Sequence, residues 1–377
     1  MNRHTKKTGM LMRRLAPLCA LALIAASLAQ AFVAAQPRAP VAHAATLNAI
    51  QQENEKPGTP GWDAFTANSS PTALSGYAAP VSVNLGQSVN FYVSTTASSV
   101  NIDVFRTGWY AGVGARLVTS LGSFAGQAQA IPAPDPVTGI VECKWQKTAS
   151  LAIPTTWTSG VYLAKLTSSA GDQSFITFVV RNDSGHEDFL VETGITTAEA
   201  YNTLGGTSLY NNLTNGSVFS GPHATKVSFD RPFNPGDGNG AGQYLWYDYP
   251  FVRWAEAQGF DMSYTTNIDM DASTNPALNH KVFISLGHDE YWSKGDRDNV
   301  ESAIAHGINV AFFGANISYW QIRFEADSAG KGTAPSLATR TTRPTRHRPA
   351  LTRCTASTTL WSRPTGVIPW STAQKTA

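Results

Sequence analysis

Lys281-Val282-Phe283-Ile284-Ser285-Leu286-Gly287-His288-Asp289-Glu290-Tyr291-Trp292-Ser293 decides how the second half of the chain is read. It begins with a near-continuous apolar run, the pattern of a strand covered on both faces. Ser293 then opens a helical stretch over 293–306, its hydroxyl capping the helix with Asp296 at the third position and Val300, Ala303 and Ile304 as the inner stripe. A second apolar run, 308–313, follows and also reads as covered on both faces. Strand, helix and strand make a βαβ unit, and ligands of open parallel sheets bind beyond the carboxyl ends of the strands. That rule places residues 287–292 and Gly314-Ala315-Asn316 where chemistry is expected. Upstream, 189–192 and 262–265 read as further strands. Residues 249–258 read as a helix with Phe251, Trp254 and Ala255 on one face and Gly259 as its stop.

His288 and Glu290 stand two apart in an extended stretch and so project to one side, while Asp289 points to the other. Two readings of this loop are open. It is an acid/base or metal site tuned by burial and a helix N-terminus, or its polar side chains merely cap the helix. Competing candidates fall away. Asn267, Asp269 and Asp271 have the spacing of a calcium loop, but Ala272 and Leu278 stand where it needs Gly and Glu. Residues 235–242 are rich in glycine but lack a preceding strand and a phosphate-loop Lys, and no G-x-S-x-G elbow is present.

Before residue 184 the rhythm differs. Val89-Asn90-Phe91-Tyr92-Val93, Val100-Asn101-Ile102-Asp103-Val104 and the runs at 160–166 and 175–180 alternate between turn residues, which suits a β-sandwich. We place an N-terminal arm at 46–79, a sandwich at 80–183 and an α/β domain at 184–330. No titratable cluster is legible in the sandwich, so its expected role is structural or binding.

The 377 residues are 42% hydrophobic, enough to bury real cores. The formal charge of +2 conceals an asymmetry: residues 46–330 hold 14 Lys+Arg against all 26 Asp+Glu, a net charge of −12. Phosphate binding needs basic residues on the docking surface, so nucleic acid is excluded as a partner of the folded body. Residues 1–45 carry Arg3, Lys6, Lys7, Arg13 and Arg14, then an apolar run at 15–35, then Ala42-His43-Ala44. This is the order of a secretory signal peptide, with an uncleaved anchor as the alternative. The expectation is an exported protein with no stable membrane contact after cleavage. Only Cys143 and Cys354 would then remain, too few for a disulfide framework and wrongly spaced for zinc. Residues 331–377 hold 12 Thr, 5 Pro and 6 Arg with no acid and no apolar periodicity. They read as a disordered basic tail, and the favoured cause is a slip of the reading frame near Gly330.

Four stretches carry a family resemblance: Glu53-Asn54-Glu55-Lys56-Pro57-Gly58-Thr59-Pro60-Gly61-Trp62, Phe105-Arg106-Thr107-Gly108-Trp109-Tyr110-Ala111-Gly112, Leu286-Gly287-His288-Asp289-Glu290-Tyr291-Trp292-Ser293, and Phe313-Gly314-Ala315-Asn316-Ile317-Ser318-Tyr319-Trp320-Gln321-Ile322-Arg323. They resemble the proteins related to the large (beta) subunit of N,N-dimethylformamidase over about residues 50–325. The resemblance implies an immunoglobulin-like β-sandwich followed by a Rossmann-like, glutamine-amidotransferase-like α/β domain. That domain would be incomplete here, because the family continues past Arg323 and is expected to include a further acidic active-site residue there. It also implies a ferric iron held by two tyrosines and a glutamate, with a histidine two residues before the glutamate. His288 and Glu290 match that motif directly. Ala200-Tyr201-Asn202 and Thr207-Ser208-Leu209-Tyr210 resemble the tyrosine-bearing stretches, closer together than in the amidase, which makes Tyr201 and Tyr210 the implied phenolate ligands.

The implied function is a metal-dependent amide hydrolase acting on a small-molecule amide, with His288 as general base and Glu290, Tyr201 and Tyr210 as metal ligands. The alternatives are a non-catalytic exported binding module and an inactive truncated copy. Oligomeric state and the need for a small partner subunit stay open at this point.

Overall fold

The computed structural model describes residues 46–65, 70–210 and 223–326, and the backbone of Ser336–Ala338. The expected signal at 1–45 and the remainder of the basic tail lie outside the described residues. No described helix is long and apolar enough to cross a membrane.

A short helix, α1 (Ala49–Asn54), precedes two sheets. One has three antiparallel strands, β1 (Leu74–Ala79), β3 (Ser88–Thr95) and β6 (Ala149–Ala152), in the order β1-β3-β6. The other runs β2-β8-β7-β4-β5, with β2 (Ser82–Asn84), β4 (Ser99–Thr107), β5 (Ala115–Ala125), β7 (Gly160–Ser168) and β8 (Gln173–Arg181). The strand β1 lies within the stretch read as an arm, so the sheet begins at Leu74 rather than at residue 80. Side chains of both sheets, including Leu74, Phe91, Val104, Tyr162 and Phe178, share one buried core. Alternate residues of β4, β7 and β8 (Phe105, Val161, Leu163, Phe175 and Val179) face a second core that they share with the following strands. The five-stranded sheet is thus covered on both faces, which is why β7 is almost continuously buried although its sequence alternates only loosely.

Downstream, β9 (Phe189–Thr193), β11 (Met262–Thr266), β12 (Val282–Gly287) and β14 (Asn309–Gly314) form a parallel sheet ordered β11-β9-β12-β14. Helix α2 (Ile195–Tyr201) follows β9. Two short helices, α3 (Tyr244–Tyr247) and α4 (Tyr249–Ala257), lead into β11, and α5 (Asn267–Met270) leaves it. The crossover from β12 to β14 contains α6 (Lys294–Ala305), with Ser293 accepting from the Asp296 amide as its cap. A mixed sheet has β10 (Lys226–Ser228), β16 (Ser336–Ala338), β15 (Trp320–Glu325) and β13 (Tyr291–Ser293) in that order across its width. Within the stretch read as a disordered tail, Ser336–Ala338 therefore pairs antiparallel with both β10 and β15.

Three expectations about faces are corrected. Helix α4 buries Val252, Ala255 and Glu256, whereas Trp254 is 54% exposed, because Glu256 is drawn inward by a buried arginine. On α6 the buried apolar residues are Val300 and Ala303, with Ile304 exposed. Strand β14 is the sheet's edge, and Phe312 and Phe313 stand more than half exposed on it instead of being covered on both faces.

Candidate metal and catalytic site

Glu290 lies on the link between β12 and β13, and three separate elements fix it. Its amide donates to Thr197 Oγ1 of α2 at 2.8 Å, and its carbonyl accepts from the Trp320 amide at the start of β15 at 2.9 Å. The side chain is buried. Tyr201, the last residue of α2, donates to Glu290 Oε2 at 2.9 Å, and Tyr210 donates to Oε1 at 2.5 Å. Each phenol thus takes one oxygen of a single carboxylate. The two rings stack with centroids 4.4 Å apart. The chain returns Tyr210 to Tyr201 by pinning the Leu209 amide to the Ala200 carbonyl at 3.0 Å. That turn lets the short sequence spacing still bring both phenols to one carboxylate.

His288 Nε2 stands 3.2 Å from Glu290 Oε2, its ring 5.3 Å from that of Tyr201 and 5.9 Å from that of Tyr247. Asn316 Nδ2, from the turn after β14, lies 3.4 Å from the same ring nitrogen. Asp289 points away, fully buried, and accepts from Ser285 and Asn267 at 2.7 and 2.9 Å. All four residues singled out in the sequence, Tyr201, Tyr210, His288 and Glu290, therefore converge at the carboxyl ends of β9 and β12. Thr197 and Trp320 were not singled out. The indole of Trp320 donates to Tyr210 Oη at 3.1 Å. Trp320 lies inside one of the motifs quoted above, whereas Thr197 carries no sequence signal because it acts on a backbone 93 residues away.

Burial by itself would raise the Glu290 carboxyl, but hydrogen bonds from His288, Tyr210 and Tyr201 outweigh it and hold the group below the usual carboxylate range. The phenols move the opposite way. Burial first raises both phenols well above an ordinary one; hydrogen bonds to Tyr210 and Glu290 add to it for Tyr201, and the bond to Glu290 adds to it for Tyr210. The resting trio is one carboxylate with two phenol donors, a set of three oxygen-bearing side chains that a hard cation can take over by displacing two protons. Among the described residues no group of three or more His, Cys, Asp and Glu is placed to hold a metal. Glu290 reaches three donors only because of the phenols. A narrow cleft opens beside His288, with Thr177, Thr193, Phe233, Tyr247 and Asp248 also on its walls.

None of the curated proteins matches this chain. The family model described as N,N-dimethylformamidase beta subunit-like, C-terminal, matches residues 101–372, from within β4 through the site and into the basic tail. With that match across most of its length, the chain belongs to the N,N-dimethylformamidase beta subunit-like family.

Proposed function

We propose that the protein is an exported amide hydrolase that breaks carbon–nitrogen bonds other than peptide bonds, as the name of its family suggests. The single observation that carries this reading is the pair of phenols on opposite oxygens of Glu290 with His288 beside them. Tyr201, Tyr210 and Glu290 would hold ferric iron, to which phenolate and carboxylate oxygens are suited. When bound, the ion would act as a Lewis acid toward an amide carbonyl and lower the pKa of a water. The protein's own residues account for the rest. His288, its Nε2 facing Glu290, would take a proton from water attacking the carbonyl carbon. Trp320 orients Tyr210, and Thr197 fixes the backbone that carries Glu290.

The same reading takes the two N-terminal sheets as an immunoglobulin-like sandwich, and the parallel sheet with its crossover helix as an incomplete Rossmann-like, glutamine-amidotransferase-like domain. Export is supported by the basic, apolar and small-residue order of 1–45. The mass of the mature N-terminus tests it, and retention of residues 15–35 would count against it. A second reading, an inactive copy, is favoured by the exposed Phe312 and Phe313 on the edge strand. Metal content together with hydrolysis of N,N-dimethylformamide separates the two. Stoichiometric iron and amine release that depends on His288 support the hydrolase, and a folded protein that binds no iron and releases no amine overturns it.

A further inference from the structure

Asp248 occupies the cap position of α4, where an aspartate ordinarily accepts hydrogen bonds from the first turn of the helix. It does not do so here: its backbone is helical, and its side chain makes no capping bond. The carboxyl instead turns to the end of β12. Gly287 leaves it room, since a Cβ at that glycine would stand 2.1 Å from Asp248 Oδ1. The residue is only 7% exposed, and among the described residues no hydrogen bond or ion pair reaches its carboxyl. What exposure remains opens onto the cleft beside His288, whose walls carry no Lys or Arg among the described residues. A buried carboxyl without a donor or a cation is costly unless it is protonated or meets a ligand. Burial, and then the neighbouring Asp289, accordingly push it well above the usual carboxylate range.

We infer that Asp248 is a further catalytic residue, the proton donor to the nitrogen of the amide bound in this cleft. This rests on the hydrolase reading above. As the oxygen of water bonds to the carbonyl carbon, its proton passes to His288. The C–N bond then breaks with its electron pair on nitrogen, which takes the proton of the Asp248 carboxyl. Transfer of the His288 proton through solvent to Asp248 restores both groups, so one water is consumed and an acid and an amine are released.

The test uses the full chain with N,N-dimethylformamide as probe. Asp248→Asn keeps shape and polarity but supplies no acidic proton, so kcat should fall at least about 100-fold with KM little changed. Difference infrared spectra should show a protonated-carboxyl band, lost in Asp248→Asn, that shifts when N,N-dimethylformamide is added to the unsubstituted protein. Should that variant not fold, Asp248→Glu, which keeps a carboxyl on a longer side chain, should keep the band at a displaced frequency. A kcat in Asp248→Asn within twofold of the unsubstituted protein overturns the assignment while leaving the hydrolase reading intact. A shifted band in a protein that turns nothing over sustains the Asp248–amide contact and removes the hydrolase reading. An unmoved band overturns the assignment in either case.

Discussion

Arg106 of β4 and Glu256 of α4, 150 residues apart, are joined by two hydrogen bonds of 2.8 and 2.9 Å with both side chains wholly buried. The guanidinium also donates to the Ser159 carbonyl at 2.8 Å, and Tyr264 donates to Glu256 Oε1 on the same side of the pair, 2.8 Å away. Such a pair contributes modestly against an apolar replacement, yet removing one partner strands a buried charge. Glu256→Gln and Arg106→Met should each cost about 3–5 kcal/mol. The double variant should cost clearly less than their sum. Urea unfolding of the four proteins measures the coupling, and strictly additive losses would show that the two residues do not act as a pair.

Glu53 of α1 accepts from Tyr110, Arg116, Lys56 and Thr158, which ties the N-terminal helix to the edge of the five-stranded sheet. Burial would raise this carboxyl. The Arg106 charge and the bonds from Lys56 and Arg116 outweigh it and hold the group at about 2. A carboxyl depressed in the folded state contributes stability that is full above its unfolded value and is lost as pH falls toward the folded one. The contribution, at most about 3 kcal/mol, should therefore disappear between roughly pH 4.5 and 2. Glu53→Gln should be less stable at pH 7 and show a flatter acid limb. Parallel limbs in the two proteins would rule Glu53 out as their source.

These two carboxylates mark the boundary of what was legible in the chain. Strands β9, β11, β12 and β14 and helix α6 follow from apolar runs and a Ser cap, because those signals are local. The Tyr201–Tyr210–His288–Glu290 quartet was legible through motif resemblance and the two-residue spacing of His288 and Glu290. The Arg106–Glu256 and Glu53–Arg116 pairs were not, and the sandwich was read as lacking titratable clusters because each pair joins residues far apart in sequence. Gly108 illustrates the reason. A Cβ there would stand 2.2 Å from Glu256 Oε2, so its smallness serves a contact that the local sequence does not contain. Trp254 was placed inside because helical periodicity assigns faces by hydrophobicity, whereas the buried arginine selects Glu256.

Tyr210→Phe removes the donor to Glu290 Oε1 and the acceptor of the Trp320 indole while keeping the ring. Hydrogen bonds to a charged group are worth about 1.5–3 kcal/mol, so the metal-free variant should lose roughly that much stability. In the iron-loaded protein a phenolate-to-metal absorption should weaken in Tyr210→Phe and in Tyr201→Phe. It should vanish in the double variant and survive in His288→Ala. Full iron occupancy in the double variant would remove the phenols from the ligand set.

Ser293 accepts from the Asp296 amide at 3.0 Å and donates to Asp271, so it both starts α6 and fastens that helix to the end of α5. Ser293→Ala should cost about 1 kcal/mol for the lost cap and somewhat more for the stranded Asp271. Ser293→Asp preserves the cap but places two carboxylates together, and should recover little. Thermal unfolding reads both, and a recovery to full stability in Ser293→Asp would show that the bond to Asp271 is unimportant.

Gly287 combines two requirements that a substitution can separate. Its φ of +74° lies in the left-handed region, which costs a residue with a Cβ about 1–2 kcal/mol. An added Cβ would also meet Asp248 Oδ1 at 2.1 Å and Tyr247 Cβ at 3.1 Å. Gly287→Ala should therefore lose more stability than the backbone term alone, because Asp248 has nowhere to turn except into the cleft. Asp248→Ala removes that carboxyl and relieves the closest contact without touching φ. The double variant Gly287→Ala/Asp248→Ala should accordingly be more stable than the sum of the two single losses implies, with a deficit close to the backbone term. If urea unfolding gives additive losses instead, the constraint on Gly287 is conformational alone, and the close approach of Asp248 to the end of β12 contributes nothing to it.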